Sequence, residues 1–135
     1  MLNNRVGRAL ALGFVVSIAC ASAPSAQEDF PFGRELLLDA RPMKGSKRIP
    51  GIEVDPSGTA AIDLWCNTIQ GRAVVDADTI SISTGDKTDR ACAPERAQAD
   101  DDLAQALTQV THWRWEGDSL VLNGAKELRF RLPTN

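Results

Sequence analysis

The sequence predicts an α+β fold: a curved antiparallel β-sheet of about seven short strands packed on one main helix. Three observations carry that expectation. Short stretches of alternating apolar and polar residues recur along the chain, bounded by Gly, Pro, Asn or Asp. One segment, Pro94 to Val110, instead repeats its apolar residues at three- and four-residue steps. That helical segment interrupts the strands before the last hairpin.

The elements follow in order. Glu28 to Phe32 is a polar leader broken by Pro31. Arg34 to Asp39 contains three consecutive Leu, and period alone leaves strand or helical turn open. Arg41 to Pro50 reads as a loop. Gly51 to Val54 is a strand, and Asp55-Pro56-Ser57-Gly58 a turn in which Pro presets φ and Gly permits a positive one. Thr59 to Trp65 returns as the hairpin partner. Gly71 to Val75 and Thr79 to Ser83 flank the turn Asp76-Ala77-Asp78, with Ile80 and Ile82 on one face.

Pro94 suits the first turn of the helix. Ala99, Leu103, Ala106, Leu107 and Val110 form its apolar stripe. Asp100, Asp101 and Asp102 fan out at about 100° per residue, so they read as a solvated face and not as a metal cluster. His112 to Glu116 alternates, with Trp113 and Trp115 on one face and His112 and Arg114 on the other. Gly117-Asp118 turns the chain into Ser119 to Leu122. Asn123-Gly124 offers a second turn into Leu128 to Leu132, with Leu128, Phe130 and Leu132 inward.

A chain of 135 residues holds one domain. A net charge of -3 argues against a nucleic-acid surface. Residues 1–26 have the order of a secretory signal peptide: Arg5 and Arg8, then an apolar run from Ala9 to Ala19, then small residues from Ala21 to Ala26. The run has about half the length of a permanent membrane helix. Ala21-Ser22-Ala23 has the shape of a cleavage site, but Pro24 obstructs it, and cuts after Ser25 or Ala26 are the alternatives. Residues 27–135 are then the exported domain. Losing Arg5 and Arg8 from 15 Lys+Arg, against 18 Asp+Glu, leaves a mature net charge of -5.

Cys20 leaves the thiol count with the signal, or is retained as a lipidated N-terminus, since Ser17-Ile18-Ala19-Cys20 loosely resembles a lipobox. Cys66 and Cys92 remain, in a compartment where disulfides persist. A bridge between them closes a loop of about 26 residues, worth roughly 3.5 kcal/mol. A metal site, a redox pair and two free buried thiols are the alternatives; two distant Cys and one His make a poor metal set, and C-x-x-C spacing is absent.

This order of features resembles the META domain, the HslJ-like family of small exported bacterial proteins. Cys66-Asn67-Thr68-Ile69-Gln70-Gly71 is similar to that family's G-C-N-x-[FY]-x-G motif, and Arg90-Ala91-Cys92 to its second motif. Trp65 stands where the family has Gly, Ile69 replaces its aromatic residue, and its opening W-x-L is absent. The resemblance implies a structural motif with no catalytic residues and no cofactor. In that motif Asn67 would cap a turn or take a left-handed conformation, and Gly71 would permit an unusual backbone angle.

The chemistry points the same way. His112 is the sole candidate general base, and no G-x-S-x-G elbow, phosphate loop, H-E-x-x-H or EF-hand loop is present. Arg41, Lys44, Lys47 and Arg48 form the one basic cluster, either a solvated loop or a contact for an anionic envelope component. The Trp113/Trp115 face is either core or an interaction surface. The expectation is a non-enzymatic, monomeric protein of the bacterial envelope, stress-related or with a binding or structural role, without metal or cofactor. Its partner would be an envelope component or protein, not nucleic acid. It would be periplasmic or secreted, and membrane-bound, as an outer- or inner-membrane lipoprotein, only through a lipid on Cys20. The alternative is a small secreted hydrolase using His112.

Overall fold

The computed structural model describes residues 29–134, together with Gly13, Ala19 and Cys20. The signal-peptide reading of residues 1–26 therefore lies largely outside the described residues; within it, Cys20 is exposed with a free thiol.

The chain forms β1 (Leu36–Leu38), β2 (Gly51–Val54), β3 (Thr59–Asp63), β4 (Thr68–Asp76), β5 (Thr79–Lys87), α1 (Pro94–Thr108), β6 (His112–Glu116), β7 (Ser119–Asn123) and β8 (Leu128–Arg131). Every pairing is antiparallel between sequence neighbours, except that β1 also pairs with β8. The expected curved antiparallel sheet of about seven strands is thereby corrected in strand number and closure: eight strands close into a barrel. The ambiguous Leu36-Leu37-Leu38 run is the closing strand, with Leu37 opposite Arg131 and Leu38 opposite Phe130. Main-chain bonds from Leu38 N–H to the Pro50 carbonyl (2.8 Å) and from Asp39 N–H to that of Arg129 (2.8 Å) extend the closure.

Alternation puts one side chain in two inside. Ile62, Leu64, Leu120, Leu122 and Phe130 fill the interior, and Leu107 of α1 seals it. Val121 points the other way yet is 0% exposed. Register places it between Arg114 and Arg129, whose aliphatic stems suit that cover. The barrel is most weakly joined between β5 and β6, which pair only at Thr79 and His112. The connection between them is α1, which packs on β5. The helix ends at Thr108, short of Val110, which is nonetheless buried beyond it.

The turns follow the residue chemistry. Asp55 Oδ1 accepts bonds from Ser57 N–H (2.8 Å), Ser57 Oγ (2.6 Å) and Thr59 N–H (3.1 Å). The Ser57 hydroxyl is the main reason that its carboxyl lies below the ordinary 3.8. Gly58 takes φ 89°, as the turn requires.

Gly71 serves a different purpose from the one expected. It is not among the positive-φ glycines; a Cβ there would collide with the Ser83 carbonyl oxygen across the irregular β4–β5 register. Gly71→Ala is expected to cost about 1–3 kcal/mol, read as a lower urea midpoint with unchanged slope. An unchanged midpoint would mean that β5 moves aside freely.

Candidate functional site

Two assemblies of polar and aromatic groups stand out, at opposite ends of β4. The first joins the β3–β4 turn to α1. Cys66 and Cys92 form a disulfide with Cα atoms 6.2 Å apart. Such bonds persist in oxidising compartments, which points to an extracytoplasmic location. Asp100, expected on a solvated helix face, is instead 0% exposed. Its Oδ1 accepts the Cys66 N–H (2.9 Å), and its Oδ2 accepts the Asn67 N–H (2.8 Å) and Asn67 Nδ2 (3.2 Å). One helical position thus points inward while Asp101 and Asp102 stay exposed.

Asn67 completes the clamp. Its Oδ1 accepts Thr88 Oγ1 (2.8 Å) and Arg90 N–H (2.9 Å), and its Nδ2 approaches Cys92 Sγ (3.3 Å). Its φ is not positive, so it acts through its side chain and not through a left-handed backbone. The Cys66, Cys92 and Asp100 side chains converge in the way a metal set would. Both sulfurs are covalently paired and the carboxylate oxygens face N–H groups, so the cluster is structural.

The basic cluster is divided. Arg48 is a strut: Nε donates to the Leu64 carbonyl (2.8 Å), and Nη2 to Asp63 (3.2 Å) and the Asn67 carbonyl (3.4 Å). Arg41, Lys44 and Lys47 are exposed. His112 is exposed too, and among the described residues its ring bonds only Thr111 Oγ1 (2.9 Å). On the outer face of β6–β8, Arg114 and Arg129 pair with Glu116 and Glu127. Arg114, then Arg129, hold the Glu116 carboxyl below its ordinary 4.5.

The second assembly is a cleft of about 1310 Å³ at the barrel mouth, between the leader, the β4–β5 and β6–β7 turns and the C-terminal tail. Phe30 is buried, its ring edge-on to Trp113 at 5.4 Å, and Phe32 leans on Phe30 at 4.9 Å. Trp113 is buried in the floor and donates its indole N–H to the Ala77 carbonyl (2.8 Å). Trp115 is half-buried and donates to the Asp29 carbonyl (3.3 Å). Ala77 holds φ 50° to make that turn. The two Trp thus divide between core and cleft wall. Sequence reasoning singled out the Trp pair but missed Phe30 and Phe32, which period alone could not assign in a Pro-broken leader.

The disulfide motif, the helix that follows it and the terminal hairpin fall within one family model, the META domain, matched over residues 34–133. The chain belongs to the META domain family. The leader residues of the cleft, Asp29 to Phe32, precede this match. No curated protein matches the chain. Among solved structures, this META domain is similar to a protein from Burkholderia xenovorans, with TM-score 0.63 and 16% identity over 85% of this chain and 99% of that one. It is also similar to a DUF4847 family protein from Bacteroides vulgatus, with TM-score 0.50 and 17% identity over 61% of this chain. The match spans 57% of the Bacteroides vulgatus chain. These likenesses concern the fold alone. Among the described residues, no helix of the META domain is long and apolar enough to cross a membrane.

Proposed function

We propose that this META domain is a non-enzymatic binding module of the bacterial envelope, exported by its N-terminal segment, whose site is the cleft at the barrel mouth. One observation carries the reading: Phe32 stays 41% exposed at the rim of a concave site that also holds Phe30, Trp113 and Trp115. The mouth of a barrel is a common place for a ligand. His112 alternates away from the Trp face, so the histidine of the alternative hydrolase does not serve this cleft. The disulfide suits a periplasmic or secreted domain, and a lipid on Cys20 would tether the same module to a membrane.

Incubation with envelope extract, followed by mass spectrometry of what is retained, tests the proposal. A solute should be retained by the wild type and by His112→Ala, recovered chemically unchanged, and lost from Phe32→Ala. Conversion of the solute that disappears in His112→Ala would replace the binding module by the hydrolase. Equal retention by Phe32→Ala would move the site elsewhere.

A further inference from the structure

We infer that the barrel mouth takes a neutral, hydroxyl-rich sugar chain, stacked on Phe32 and Trp115. The inference rests on the binding-module reading and names its ligand class.

The aromatic groups offer a ligand apolar ring surface and no free donor. Both indole N–H groups are already engaged by main-chain carbonyls, of Ala77 and Asp29, so the rings have no donor left for a ligand. Phe32 is not a loose side chain: it rests on Phe30, which rests on Trp113. These tilted and edge-on contacts position Phe32 before any ligand arrives. The face of an aromatic ring is electronegative. The axial C–H groups of a pyranose form a weakly electropositive, apolar surface of matching size.

The rim then decides between ligand classes. Arg34 and Arg131 line the cleft with Asp29 and Asp118. Among the described residues none of these four makes an ion pair, although Arg114 and Arg129 on the neighbouring outer face both do. Among the described residues, two groups of each sign give the cleft no net preference for an anion or a cation. They do supply both donors and acceptors, the combination that hydroxyls, themselves donor and acceptor, satisfy. A hydrocarbon chain would desolvate all four charges without returning hydrogen bonds. An anionic amphiphile would meet two carboxylates, on a protein whose net charge is already -3 over the full chain and -5 without Arg5 and Arg8. The cleft, at about 1310 Å³, exceeds the roughly 300–1,000 Å³ usual for a compact ligand, which favours several linked rings over one.

Calorimetric titration of the purified exported protein tests this. The probes are neutral hexasaccharides of glucose and of N-acetylglucosamine in both anomeric linkages, dodecanoate, and an uncharged Leu/Ser decapeptide. Saturable binding of at least one hexasaccharide is expected, little changed by raising salt, because no net charge is neutralised. Phe32→Ala should weaken it about tenfold or more with an unchanged thermal midpoint, while Phe32→Trp should retain it. Binding of dodecanoate or the peptide alone, abolished by Phe32→Ala, would overturn the sugar and leave the binding module standing. No hexasaccharide binding, or binding indifferent to Phe32→Ala, overturns the inference.

Discussion

Asp100→Ala is expected to destabilise the domain by about 3–5 kcal/mol, the largest loss from any single polar side chain here. The carboxylate is 0% exposed and takes three N–H donors: the Cys66 and Asn67 main chain, and Asn67 Nδ2. Truncation removes the partner of the half-buried Cys66 N–H and the buried Asn67 N–H and leaves Asn67 Nδ2 only the Cys92 sulfur, at about 1–3 kcal/mol for each group left without a partner. Relaxation of the turn would recover part of that, hence the lower range. Asp100→Asn keeps the volume and one acceptor but turns an NH₂ toward a donor, so an intermediate loss is expected. Asp101→Ala and Asp102→Ala, both exposed, should stay within about 0.5 kcal/mol of the wild type. Urea unfolding of the four variants measures the difference. A loss below about 1 kcal/mol for Asp100→Ala would mean that the β3–β4 turn is held by the disulfide alone.

The contrast between Asp100 and its neighbours shows where sequence reasoning reaches. The hairpins were legible because their determinants are local: Asp55-Pro56-Ser57-Gly58 encodes its own turn, and Ile80 and Ile82 their own face. The Cys66–Cys92 bridge was legible from two thiols and from the reading of residues 1–26 as an export signal. Asp100 was not. Its spacing on the helix says that three acids diverge, and nothing local says that one of them meets a turn more than 30 residues earlier. Barrel closure failed to show for the same reason, since Leu37 pairs with Arg131 from the far end of the chain. The cleft is the extreme case. It is assembled from a leader, two turns and a tail that share no sequence pattern, so Phe32 became visible only once Trp113 lay beside Phe30. Arg48 read as one of four loop cations; its carbonyl partners, Leu64 and Asn67, distinguish it.

Removing the disulfide should cost nearly as much as losing Asp100, but through the unfolded state. Reduction releases a closed loop of 26 residues. The chain-entropy model assigns that about 3.5 kcal/mol, or a fall in thermal midpoint on the order of 15 °C for a domain of this size. Cys66→Ala with Cys92→Ala should behave in the same way, and neither should respond further to reductant. A shift of only a few degrees would mean that the β4–β5 hairpin already restricts that loop in the unfolded chain. The two perturbations meet at Cys66, whose main-chain N–H faces Asp100 while its sulfur is bonded to Cys92. Their costs should therefore fall short of additive. Once the bridge is gone, the turn can rotate its N–H groups toward water, and the loss of Asp100 then orphans less. A double-mutant cycle should give a coupling of at least about 1 kcal/mol. Strict additivity would separate the carboxylate from the bridge and assign each to its own half of the turn.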